Sequence, residues 1–168
     1  GEALEPELDE ISSEFQIPHL FIESPAFSEN SMIGYDETTV RLMELLCDRT
    51  SSGNKDTATP RVNLFGFDSH EKFPEGGLKE ITRLLKLCGI EVHTAVGINC
   101  PVSDFRTIGE ADANIILCPE RCKKTAEYLR THLMHRFTKQ EACPSALILQ
   151  RNLSGKFQNC WAQTAPPH

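Results

Sequence analysis

Between Arg61 and Gln150 the chain repeats one unit: a short apolar run, a polar turn, then a stretch of helical periodicity. RVNLFGF (61–67), IEVHTAV (90–96), ANIILCP (113–119) and PSALILQ (144–150) read as strands. Between them, LKEITRLLKLCG sets Leu78, Ile81, Leu84, Leu85 and Cys88 on one side of a helix that Gly89 stops. ERCKKTAEYLRTHLMHRF (120–137) reads as a second long helix. The strands are nearly continuous in apolar residues rather than alternating, which is the pattern of strands covered on both faces. The pattern predicts an α/β fold of three α/β/α layers around a mainly parallel sheet, Rossmann-like in its plan.

The first part of the chain reads differently. Leu4, Leu8, Ile11 and Phe15 recur at helical spacing, giving an amphipathic helix with an acidic outer side. IPHLFIES (17–24) reads as a strand, PAFSENSMIGYD (25–36) as a loop, and ETTVRLMELLCD (37–48) as a helix. This predicts a helix–strand–helix arm over residues 1–49. The polar run TSSGNKDTATP (50–60) reads as a linker, residues 61–150 as the Rossmann-like domain, and 151–168 as a tail without a clear period.

Charge and cysteine content narrow the function classes. The net charge is −7, and Glu2, Glu5, Glu7, Asp9, Glu10 and Glu14 carry nearly all of it, so no basic face for nucleic acid is expected. No apolar run approaches the roughly 20 residues that cross a bilayer, and no signal peptide opens the chain, so the expectation is a cytoplasmic protein away from membranes. Seven cysteines, an odd number without a secretion signal, read as reduced thiols.

The candidate site follows from the sheet. In open parallel α/β sheets ligands gather beyond the carboxyl ends of the strands, where Phe67, Val96 and Cys118 lie. Cys118 precedes a predicted helix, whose first amides stabilise a thiolate, and thiolates bind soft metals and iron–sulfur clusters. Cys100 is on the neighbouring loop and Cys122 one turn into the helix, making both further candidate ligands. Gly76 and Gly77 allow a backbone to approach a cofactor, although a plain helix start explains them as well. Buried cysteines are also ordinary packing residues, and C-x-x-x-C is a weaker signal than paired C-x-x-C. His132 and His135 share a helix face at the end away from these loops, and His93 reads as packed. Ser103 is a candidate helix cap. There is no phosphate-loop motif and no G-x-S-x-G elbow.

Three stretches, in this order, resemble the nitrogenase component 1 superfamily: the molybdenum–iron protein subunits and their cofactor-assembly and tetrapyrrole-reductase relatives. IPHLFIESPAFSENSMIGYD resembles the family's "I-P-V-I-x-V-x-x-P-G-F … G-Y-D", with Ala26 in place of the usual glycine. RVNLFGF with GGLKEITRLLKLCGIEV is similar to the "V-N-L-x-G" strand and a helix ending "G-I-x-V". ANIILCPERCKKTAEYL resembles the strand and helix that come after. The resemblance implies an oxidoreductase subunit handling an iron–sulfur cluster or iron–sulfur-based metallocofactor, and puts Cys118 where the catalytic nitrogenase subunit has its cofactor-ligating cysteine. It implies as partners another component 1 subunit and an iron–sulfur reductase, or a second copy of the chain. The family's upstream cluster cysteines and third domain have no counterpart here, so the expectation is a fragment or reduced paralogue, inactive alone. Two other readings stand beside it: a non-catalytic cofactor-assembly or docking module, and a small nucleotide-binding flavodoxin-like domain.

Overall fold

The computed structural model describes residues 4–22, 31–48, 59–67, 72–133 and 147–150. Helix α1 spans Leu4–Phe15 and α2 Ser31–Leu46; β1 (Arg61–Phe65), α3 (Pro74–Leu87), β2 (Glu91–Ala95) and β3 (Ala113–Ile116) follow. A 3-10 segment, Val102–Glu110, joins β2 to β3. After β3 come a 3-10 turn at Pro119–Arg121, the short helix α4 (Lys123–Tyr128), a π turn at Leu129–Leu133 and the strand β4 (Leu147–Gln150).

The sheet runs β2-β1-β3-β4. β1 is parallel to both β2 and β3, with Asn63 opposite Asn114 and Leu64 opposite Ile115. β4 joins β3 antiparallel, so the fourth predicted strand runs opposite to the other three and the sheet is mainly parallel. Alternate residues of the central strands enter two separate cores. Phe65 and Ile116 meet Met43 of α2, Cys47 just past it, Phe105, Ile108, Cys122 and Leu129 on one face. Val62, Leu64 and Ile115 meet α3 through Leu78, Ile81 and Leu85 on the other. Each such large side chain contributes about 1.5–3 kcal/mol by leaving water. This is the three-layer α/β/α fold the sequence pattern predicts.

Local chemistry explains the element ends. Pro74 occupies the first turn of α3, where its missing N–H costs nothing. At the other end Gly89 N–H donates to Lys86 O (3.0 Å) and Ile90 N–H to Leu85 O (2.9 Å), a Schellman closure. Leu84 departs from its expected place in the buried stripe and is exposed. Ser103 does not cap: Pro101 takes the cap position of the 3-10 segment, with no side-chain hydrogen bond there. Helix α2 begins at Ser31, so Gly34, Tyr35 and Asp36 are helical rather than in a loop.

The arm differs more. None of residues 17–22 is in a strand. Ile17 N–H donates to Ser12 O (3.2 Å) and Ile17 O accepts from Ser12 Oγ (2.6 Å), so both polar groups of its backbone close α1 and neither is free for a sheet. Pro18 has no N–H to offer. The expected tail and much of the expected linker lie outside the described residues.

Candidate functional site

The carboxyl ends of β1, β2 and β3 converge, and they do so through backbone contacts closer than a side chain allows. Gly66, just past β1, has φ +88°, and a Cβ on it would be 2.7 Å from the Cys118 nitrogen. Gly97, past β2, has φ +105°, and a Cβ there would be 2.2 Å from Phe67 O. Only glycine tolerates both the backbone conformation and the contact. Tyr35 of α2 joins the two ends: its Oη accepts from Gly66 N–H (3.0 Å) and donates to Val96 O (3.0 Å). Burial pushes the Tyr35 phenol well above its ordinary pKa, so it remains a neutral donor. Arg121 donates from Nη1 to Gly66 O (3.1 Å), tying the turn after Cys118 to the same point.

Asp36 secures the other side. Its buried carboxylate accepts from Lys124 N–H (2.7 Å), Thr125 N–H (2.8 Å) and Thr125 Oγ1 (2.7 Å). A side chain of α2 therefore satisfies the first amides of α4. The helix predicted after Cys118 breaks into a three-residue 3-10 turn and α4, with Arg121 N–H donating to Cys118 O (3.2 Å) and the Lys124 and Thr125 amides of α4 to Asp36.

The predicted site residues separate into distinct settings. Cys118 is half-buried on the rim, with Sγ donating to the exposed Glu120 Oε2 at 3.7 Å. Cys122 is 0% exposed and part of the core beneath. Burial, with Asp36 nearby, pushes its thiol up to about 12. Cys100 is half-buried, and burial together with Asp104 pushes its thiol up to about 11. It lines a cavity of about 390 Å3 between α2 and the end of β2, along with Tyr35, Thr38, Leu42, Asn99 and Phe105. Gly76 is exposed on the first turn of α3, and Gly77 packs against the Phe67 ring, where a Cβ would be 3.5 Å from Cε1. Cys88 is disulfide-bonded, which corrects the expectation that every thiol is reduced. His93 is packed as expected, its Nε2 2.9 Å from Thr107 O. His132 stacks on Tyr128, and His135 lies outside the described residues.

Tyr35, Asp36, Gly66, Gly97 and Arg121 are positioning residues beyond the sequence-based candidates. Tyr35 and Asp36 had a signal in the G-Y-D stretch, and Gly66 in V-N-L-x-G; nothing local singles out Arg121. Among the described residues, no group of three or more His, Cys, Asp or Glu is placed to hold a metal ion, and no helix is long and apolar enough to cross a membrane.

Comparison with known proteins agrees with the family resemblance. The family described as nitrogenase component 1 type oxidoreductase matches residues 1–141. A subunit of the light-independent protochlorophyllide reductase of Halorhodospira halophila is 32% identical over 118 residues, covering 68% of this chain and 22% of that protein. The subunit of the same name from Prochlorococcus marinus (strain MIT 9211) is 30% identical over 134 residues, 74% of this chain and 25% of its own length. That of Dinoroseobacter shibae is 24% identical over 151 residues, 90% of this chain and 28% of its own. The chain thus spans about a quarter of the length of these relatives.

Proposed function

The chain belongs to the nitrogenase component 1 type oxidoreductase family, and on that premise we propose that it is the α/β part of a reductase subunit whose strand-end rim faces a redox centre. The observation that carries this reading is the contrast between two thiols four residues apart. Cys118 stays half-exposed on the rim, and Cys122 is sealed in the core. Cys118 is thus the thiol of the pair that can meet a ligand without unpacking the fold.

The described residues do not by themselves fit a cluster. An iron–sulfur cluster is typically held by four thiolates, and the described residues bring no such group together. Cys100 and Cys122 both have thiols pushed well above neutrality. The role proposed is contributory: Cys118 donates one ligand to a centre completed by other parts of the assembly. Another component 1 subunit would supply the facing wall, and an iron–sulfur reductase the electrons. The relatives' name assigns them reduction of protochlorophyllide; the reading carried over here is reductive chemistry beside the rim. Within it Gly66, Gly97, Tyr35 and Arg121 hold the three strand ends in place, and Asp36 seats α4.

The test is oxygen-free reconstitution with iron, sulfide and a small added thiol that supplies the missing ligands. Native protein and Cys122→Ala are expected to develop iron–thiolate absorbance, and Cys118→Ala to lose it. Equal absorbance in Cys118→Ala would remove the proposed role.

A further inference from the structure

Helix α1 is a finished local structure, and its apolar face lies largely open: of the row Leu4, Leu8, Ile11 and Phe15, only Leu8 is half-buried. Gln16 takes the left-handed conformation (φ +54°) that ends the helix, and the bond from Ile17 N–H to Ser12 O closes it. Gln16 Nε2 also donates to Ser13 O (2.7 Å). Yet none of the residues of α1 is buried. Leu4 is 55% exposed, Ile11 52%, Phe15 61%, and Ile17, folded back at the helix end, 60%. Leu4, Leu8, Ile11 and Phe15 form one row at spacings of four, three and four. That row is the anchor pattern of a helix laid into a groove.

Charge identifies what the groove must be. Glu7, Glu10 and Glu14 follow one flank of the row, and Glu5 stands on the other, all exposed. From Leu4 to Phe15 there is no lysine or arginine. A second copy of α1 would bring like charges against these flanks, and an anionic lipid surface would meet the same repulsion. We propose that α1 docks into an apolar groove on a partner protein, with the groove rimmed by lysines and arginines. The row supplies the binding area, and the carboxylates supply orientation and rate.

The probe is a designed two-helix hairpin with a leucine groove rimmed by lysines, compared with an otherwise identical hairpin rimmed by glutamates. Binding to the whole chain is followed by fluorescence anisotropy. The lysine-rimmed hairpin is expected to bind, and to weaken about tenfold or more as salt is raised well past the screening range. Ile11→Ser with Phe15→Ser, which leaves every charge in place, is expected to weaken it by about tenfold or more. Glu7→Gln with Glu14→Gln is expected to flatten the salt dependence while retaining the apolar contribution. Neither pair includes a buried residue, so both variants fold. Equal binding of the glutamate-rimmed hairpin, or undiminished binding by the serine pair, would overturn the proposal. So would self-association of the native chain that the serine pair abolishes, which would make the occupant a second copy.

Discussion

Helices α1 and α2 flank the same chain segment and both carry apolar residues at helical spacing, yet only α2 is part of the body. It buries Met43, but the same is true in principle of any apolar stripe that finds a face. What distinguishes α2 is the polar chemistry it takes inside. Asp36 satisfies two backbone amides and a hydroxyl of α4, and Tyr35 bridges the ends of β1 and β2. An apolar stripe makes a helix sticky; buried hydrogen bonds fix where it goes, because leaving them unmade is costly. α1 has the first property without the second, and none of its side chains is buried.

Removing the clasp should break this contrast most. Asp36→Ala takes the carboxylate from the two buried Thr125 donors and from the part-buried Lys124 amide and is expected to cost about 4 kcal/mol, read as a lower denaturation midpoint. An unchanged midpoint would mean that α2 is held by apolar contact alone. Gly97→Ala follows, at about 3 kcal/mol, because its Cβ meets Phe67 O and its φ is unfavourable for alanine.

A pH series sharpens the contrast inside the body. Cys100 and Cys122 remain protonated in the fold well above the ordinary thiol value of 9.0. Their stabilising contribution is therefore whole below about pH 9, where the unfolded thiols are also neutral. It is lost as pH rises through about 11 for Cys100 and about 12 for Cys122, because the unfolded chain ionises first. Denaturation midpoints should fall across that window, and Cys100→Ser with Cys122→Ala should flatten the fall. The smallest effect belongs to α1: Ile11→Ser should change stability by no more than about 0.5 kcal/mol, because it uncovers nothing. A larger loss by calorimetry would show that α1 is packed after all.

The body was largely legible in the sequence because parallel strands covered on both faces leave unbroken apolar runs, and β1 to β3 lie where those runs fall. The expected strand at 17–24 fails over its described part for a local reason: Ile17 gives its backbone to the cap of α1, a demand no hydrophobic pattern records. The long helix after β3 also read as continuous, whereas Asp36, distant in sequence, sets the start of α4 at Lys123. The candidate site was legible as an edge, through the strand ends and Cys118. Of the residues that hold the edge together, Tyr35 and Gly66 carried a motif signal but Gly97 and Arg121 did not, and the roles of all four rest on contacts between segments far apart in the chain.

The outward placement of Cys118 over the sealed Cys122 is tested most directly by maleimide labelling of the native protein, mapped by peptide mass. Labelling is predicted at Cys118 under native conditions, with Cys122 modified only after unfolding. Equal native rates at the two positions, or protection of Cys118 with Cys122 labelled, would contradict the account.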